Sequence, residues 1–194
     1  MEERKMNENE SLELISQMIR NTQRRIDSHN GMPFLVWGYT SVIVSLAVWF
    51  MLKSSSNYLW NYLWFLIPVI GYPTMMVLLK KQSSGMRTMI DKFIGYVWLS
   101  IGIAAFIVSV STFFYWQTPV LFIVLLLIGS GTLITALLIQ YKLLIFMGAI
   151  SYVSAILCLM IRDVNVILVF AATFLVMMVI PGHILFAKNR RNHV

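Results

Sequence analysis

Residues 119–139 have the sequence PVLFIVLLLIGSGTLITALLI, which contains no Asp, Glu, Lys or Arg. A helix rises about 1.5 Å per residue and the hydrocarbon core of a bilayer is about 30 Å thick, so this run is long enough to cross a membrane once. Five other runs in the chain also lack these four residue types. The six predicted transmembrane helices are residues 34–52, 58–79, 93–114, 119–139, 143–161 and 164–187.

The composition of the whole chain supports the same fold class. Of 194 residues, 59% are hydrophobic and 12% are charged, against about 45–50% and about 25% in soluble domains. The formal net charge of +7 is divided among the breaks between apolar runs, whereas nucleic-acid binding needs basic residues gathered on one solvated face. We therefore predict an all-α, polytopic integral membrane bundle with no nucleic-acid partner.

The distribution of lysine and arginine predicts the orientation of the bundle. With six crossings, thirteen of these residues fall on the side that holds both termini, and only Lys53 and Arg162 fall on the other. Cytoplasmic loops carry an excess of positive charge, so both termini are predicted to be cytoplasmic. The composition is similar to that of small bacterial membrane proteins, and we expect a multi-pass protein of the bacterial cytoplasmic membrane.

The chain divides into a cytoplasmic N-terminal segment of residues 1–33, the six-helix domain of residues 34–187 and a basic cytoplasmic tail of residues 188–194. Within the first segment, residues 10–29 are predicted to form an amphipathic helix that stops before Gly31 and Pro33. Apolar residues recur there at steps of three and four, which is the spacing of a helical seam. This predicted helix is α1, and its α1 seam consists of Leu12, Ile15, Ile19, Thr22 and Ile26.

Two interpretations of the α1 seam are open. It can lie on the protein's own helices or on the lipid headgroups, with its arginines near anionic lipid. Alternatively it docks a helix of a second copy or of a cytoplasmic protein, which would make it the functional surface.

The spans carry few groups that could do chemistry. Apart from tyrosines and Cys158, His183 is their single ionisable residue, whereas proton or metal chemistry in a membrane needs buried ionisable groups. Ser130 and His183 would lie about 12 Å apart in depth, too far for the direct hydrogen bond of a nucleophile and its base. We predict no catalytic residues, no metal site and no cofactor, and hence no enzyme.

Helix-breaking and small residues are the remaining features of the spans. Pro68, Gly71 and Pro73 lie near the middle of the second span, where proline removes a backbone hydrogen bond and kinks the helix. Freed carbonyls could line a substrate site there. Close helix packing is predicted at Gly102, Gly129, Gly131 and Gly148.

These observations favour a non-enzymatic interaction or regulatory protein that presents the cytoplasmic amphipathic helix. The alternative is a small transporter or channel for a neutral, apolar or lipid-like substrate that uses the kinked second helix.

Overall fold

The computed structural model describes residues 8–28, 32–55, 57–81, 89–112, 114 and 118–184. Its α-helices are α1 Glu8–Ser28, α2 Met32–Ser55, α3 Leu66–Lys81, α4 Met89–Ser111, α5 Val120–Leu138, α6 Lys142–Met160 and α7 Val166–Phe174. A 3-10 helix, Tyr58–Phe65, leads into α3, and a π-helical turn, Leu175–Val179, continues α7. The predicted basic tail, residues 188–194, lies outside the described residues.

Among the described residues, six helical segments are long and apolar enough to cross a membrane. They are Met32–Ser55, Tyr58–Leu78, Lys92–Ser111, Val120–Leu138, Lys142–Met160 and Val166–Ile184. Each coincides with one of the six apolar runs of the sequence, within a few residues at either end. The predicted all-helical membrane bundle is therefore confirmed.

Neighbouring helices in the structure follow one another in the order α3, α2, α7, α6, α5, α4 and α1, and each packs against the next. The most extensive of these contacts joins α5 to α6. These two helices are antiparallel neighbours because the turn between them, around Gln140, is only three residues long. Gln140 takes the left-handed conformation with φ of 53°, and the Tyr141 amide closes the turn by donating to the Ala136 carbonyl over 3.0 Å.

Three apolar clusters form the interior. The largest lies between α5, α6 and α7, and its buried members are Leu125, Met147, Ala155, Cys158, Phe170, Phe174, Met177 and Met178. A second joins α2 to the start of α7 through Val44, Val48, Leu52 and Ile167. The third lies at the turn between α5 and α6.

Three buried hydroxyl groups of the described helices bond to the backbone carbonyl one turn earlier. Ser45 donates to the Ser41 carbonyl, Thr132 to that of Ile128 and Thr173 to that of Val169, over 2.6, 2.9 and 2.8 Å. In lipid an unpaired polar group is costly, so this local bonding allows small polar residues to remain inside the bundle.

Candidate functional site

The predicted docking surface on α1 is largely uncovered. Leu12 and Ile15 of the α1 seam are 62% and 51% exposed, and the neighbouring Leu14 is 41% exposed. Ile19 is half-buried, as is Met18, which flanks the seam. The principal neighbour of α1 is α4. The described part of the seam is thus only partly used for packing within one chain.

Glu13 and Arg20, the charged residues of α1 whose side chains the structure describes, lie away from its seam. Glu13 and Arg20 are both exposed. At about 100° of rotation per residue, both positions fall on the side of the helix opposite Ile15 and Ile19. Between residues 12 and 20, the seam side of α1 is therefore apolar and partly exposed, and the opposite side carries the charges. The side chains of Thr22 and Ile26, the last two seam residues, lie outside the described ones.

The predicted kink region of the second span has two distinct environments. Gly71 is buried against α2, where a Cβ on Gly71 would lie 2.8 Å from Cζ3 of Trp37. Pro68 and Pro73 are instead exposed. The change from 3-10 to α geometry falls at Leu66, two residues before Pro68, because proline acts on the turn that precedes it.

Three consecutive residues of α2 contact the second and sixth spans. Trp37 contacts Gly71 of α3, whereas a Cβ on Gly38 would lie 2.9 Å from Cβ of Met178 in the π-helical turn. Tyr39 shares a hydrogen bond of 2.7 Å between its hydroxyl and Nε2 of His183. The rings of this pair meet edge to face, with 5.8 Å between centroids.

The π-helical turn of α7 stands next to a proline. Pro181 is buried and has no N–H to donate to the residue 177 carbonyl, so the hydrogen-bond ladder must change close to this point. The sequence alone did not predict this turn or the Tyr39–His183 pair. Pro181, at the end of an apolar run, was the one residue in the sequence that indicated an irregular helix here.

Ser130 and His183 have separate partners in the structure. The Ser130 hydroxyl donates to the Leu126 carbonyl over 2.7 Å and lies 2.9 Å from the hydroxyl of Tyr152. His183 bonds to Tyr39 instead. The described residues contain no group of three or more His, Cys, Asp or Glu side chains that could hold a metal ion.

The predicted packing glycines fall into two groups. Gly129, Gly131 and Gly148 are buried at close contacts: a Cβ on Gly129 would lie 2.9 Å from Cβ of Ser151, and one on Gly148 would lie 3.1 Å from Cβ of Leu133. Gly131 packs against Ile101. Gly102 is exposed on α4, and a Cβ there would meet no atom of the described chain within 4 Å.

A group of hydrogen-bonded side chains lies at the other end of α2, on the predicted outer side. Nε1 of Trp49 donates to Oδ1 of Asn165 over 3.2 Å, and Nδ2 of Asn165 donates to Asp163 over 2.7 Å. The Lys53 ammonium stands 4.8 Å from the centre of a Trp49 ring, within the range of a cation–π contact. This cluster ties α2 to the start of α7.

The fold and these contacts define the class of the molecule: an all-helical integral membrane protein with several spans. Comparisons with protein-family models, with curated proteins and with solved structures found no match to this chain.

Proposed function

We propose that this protein is a non-enzymatic, membrane-anchored interaction or regulatory protein, and that α1 is its docking surface on the cytoplasmic side of a bacterial membrane. The observation that carries the proposal is the exposure of Leu12 and Ile15 on a helix that already has a neighbour in α4. An exposed apolar stripe on an amphipathic helix is the surface by which such helices enter a groove or pair with another helix.

The energetics favour a role in binding for this face. Fully burying the side chain of a leucine or isoleucine contributes about 1.5–3 kcal/mol, and Leu12 and Ile15 still have 62% and 51% of their surface uncovered. The charged residues Glu13 and Arg20 lie on the opposite side of α1. They can therefore stay in water while the apolar face is covered.

A substitution on each face of α1 tests this proposal. We expect Ile15→Lys to abolish the association of the full-length protein with its partner, measured by crosslinking in cells followed by affinity purification. Gln17→Lys, an exposed position on the charged side of the same helix, is the matched control and should leave the association intact. The amount of protein inserted in the membrane should be equal for both variants. An unchanged association after Ile15→Lys would exclude α1 as the docking surface.

One observation favours a second candidate, a transporter or channel for a neutral, apolar or lipid-like substrate. Both irregular stretches of helix, the start of the second span and the π-helical turn of α7, lie in segments that pack on α2. Broken helices free backbone carbonyls, and these can line a substrate path when protein surrounds them.

Reconstituted vesicles separate the second candidate from the first. Entry of glycerol and flipping of a fluorescent phosphatidylcholine would be compared for the unmodified protein, Gly71→Leu and Gly102→Leu. A transporter using this region would lose its activity in Gly71→Leu alone, because only Gly71 is in contact with Trp37. A docking protein would show no flux in any of the three.

A further inference from the structure

The sixth span, Val166–Ile184, changes its helical register at the π-helical turn. The Ile180 amide donates to the Leu175 carbonyl, five residues earlier, whereas an α-helix bonds residues four apart. The turn therefore holds one residue more than the same stretch of α-helix would. Each side chain after it is rotated back by about 100° from its position in a continuous α-helix.

The burial of residues on both sides of the turn shows the same shift. In a continuous α-helix, Ile184 would lie seven residues after the buried Met177 and on the same face. Ile180 would stand in the same relation to the buried Thr173. The two isoleucines are instead 50% and 43% exposed. The exposed stripe of the span passes from Leu175 to Ile180, which is a step of five residues.

This shift is what brings His183 to Tyr39. In a continuous α-helix, Gly182 would hold the place that His183 holds here, and the imidazole would leave the helix about 100° further round. It would then point away from Tyr39. The bond of 2.7 Å between the Tyr39 hydroxyl and Nε2 of His183 therefore depends on the π-helical turn.

The facing part of α2 fits the π-helical turn closely. A Cβ on Gly38 would lie 2.9 Å from Cγ2 of Val179 and 3.1 Å from the Val179 backbone nitrogen. The backbone of α2 thus approaches the turn at a position that has no side chain. Tyr39 is the next residue and reaches His183 from there, so the contact and the hydrogen bond favour the same register.

Pro181 opposes the alternative register without forbidding it. It is buried, it lacks the N–H that an α-helix would pair with the Met177 carbonyl, and its ring clashes with that carbonyl. Prolines are nevertheless tolerated in transmembrane helices, because neighbouring groups and local changes of helix type satisfy the freed backbone. Two registers are therefore open to the end of the span, and the contacts with α2 favour one of them.

We propose that the end of the sixth span is a register latch made of the π-helical turn, Gly38 and the Tyr39–His183 bond. The latch is closed in this structure. When the bond is lost, residues 180–184 turn by about 100° into the α register, which carries their exposed apolar side chains toward the interior of the bundle. Tyr39 and His183 are both exposed, at the end of the span that is predicted to be cytoplasmic. A contact made there with either residue would change how the sixth span packs on α2.

The latch goes beyond the proposed function. It consists of residues of α2 and of the sixth span and does not involve α1. Its failure would leave the proposed docking surface untouched.

Spin labels in lipid vesicles read the register directly. The background is full-length Cys158→Ser, which removes the one cysteine of the chain, and a nitroxide would be attached in turn at Val179→Cys and Ile180→Cys. Collisions with oxygen, which dissolves in the hydrocarbon of the membrane, report exposure to lipid. We expect high accessibility at position 180 and low accessibility at position 179, because Ile180 is 43% exposed and Val179 is 7% exposed. The reverse order would mean an α register and would overturn the latch.

Tyr39→Phe tests whether the bond holds the turn. Loss of an interhelical hydrogen bond of ordinary strength shifts an equilibrium by about 3–20-fold, so the accessibility should fall at position 180 and rise at position 179. Tyr152→Phe is the matched control, because it removes a hydroxyl that lies 2.9 Å from that of Ser130, between α5 and α6. It should change neither position. Unchanged accessibility in Tyr39→Phe, or an equal change in Tyr152→Phe, would overturn the latch.

Moving the histidine by one position tests the register itself. Pro181→Ala restores the missing N–H and should give the α register, in which Tyr39→Phe no longer lowers the melting temperature in detergent. Adding Gly182→His and His183→Gly should make Tyr39→Phe destabilising again, because position 182 then faces Tyr39. An equal loss from Tyr39→Phe with and without Pro181→Ala would mean that the bond does not depend on the π-helical turn, and the proposal would be wrong.

Discussion

Trp37 occupies the space that a side chain at Gly71 would need, because a Cβ built there would lie 2.8 Å from Cζ3 of the indole ring. This contact fixes α3 against α2 at the point where the second span contains its prolines. It also explains why glycine is found at position 71, in a helix whose other described side chains are mostly exposed.

Gly71→Ala should therefore destabilise the protein. Overpacking of this kind costs about 1–3 kcal/mol, and we expect a lower melting temperature in detergent, measured by loss of the monodisperse peak after heating. Gly102→Ala is the matched control, because a Cβ there meets no atom of the described chain within 4 Å. Equal melting temperatures for the two variants would mean that the Trp37 contact does not limit stability.

Ser151→Ala should weaken the packing of α5 against α6. The Ser151 hydroxyl donates across the two helices to the Leu125 carbonyl over 2.8 Å and is fully buried. Interhelical hydrogen bonds in membranes contribute about 0.6–1.7 kcal/mol, and we expect a decrease of this size in the free energy of unfolding in a detergent titration. In Ser109→Ala the lost bond runs to the Ala105 carbonyl of the same helix. That control should lose less, and the opposite ranking would contradict the assignment.

The turn between α5 and α6 depends on the conformation of Gln140. Its φ of 53° is unfavourable for β-branched residues and well tolerated by asparagine. Gln140→Val should lower the free energy of unfolding by about 1–3 kcal/mol, whereas Gln140→Asn should change it little. Equal stability of the two variants in the same detergent titration would show that the turn adapts to either residue.

The predicted orientation can be checked by labelling cysteines from one side. In the Cys158→Ser background, Ser54→Cys should react with a membrane-impermeant maleimide added to intact spheroplasts, because Ser54 is exposed at the predicted outer end of α2. Gln17→Cys should react only after permeabilisation. The reverse pattern would place the termini outside and move α1 out of the cytoplasm.

The six spans could be predicted from the sequence because the signal is local. A run of this length without charged residues, such as 119–139, favours a membrane-spanning helix whatever its neighbours are. The boundaries shifted by only a few residues, as α5 shows by beginning at Val120 and ending at Leu138. The hydropathy of each run predicts its span independently of which helices it later packs against.

The contacts between helices could not be predicted in the same way. Trp37 and Gly71, or Tyr39 and His183, are far apart in sequence, and nothing in an apolar run says which face of a helix meets which neighbour. The 3-10 and π-helical stretches were also missed, since they differ from an α-helix in hydrogen-bond pattern and not in hydropathy. The glycines illustrate this. Gly102 and Gly148 both lie among small residues in an apolar run, so the sequence predicts close packing at both. Of these two, only Gly148 lies at a close contact within the described chain.

The α1 seam could be predicted from the sequence because a repeat of apolar residues every three or four positions, like an uncharged run, involves only neighbouring residues. Its exposure could not, because that depends on where α4 lies. The structure places Ile15 half exposed and Ile19, one turn further along the same face, half-buried, so the part of the seam at Leu12 and Ile15 is the part available to a partner.

The most direct test of the central claim, that α1 is a docking surface anchored by the bundle, is photocrosslinking in native membranes. A photoreactive amino acid would be placed at Ile15 in one sample and at Gln17 in another, and the adducts would be identified by mass spectrometry. We expect a protein adduct, from a second copy or another chain, at position 15 and none at position 17. Adducts at position 15 that join only to lipid or to α4 of the same chain would contradict it.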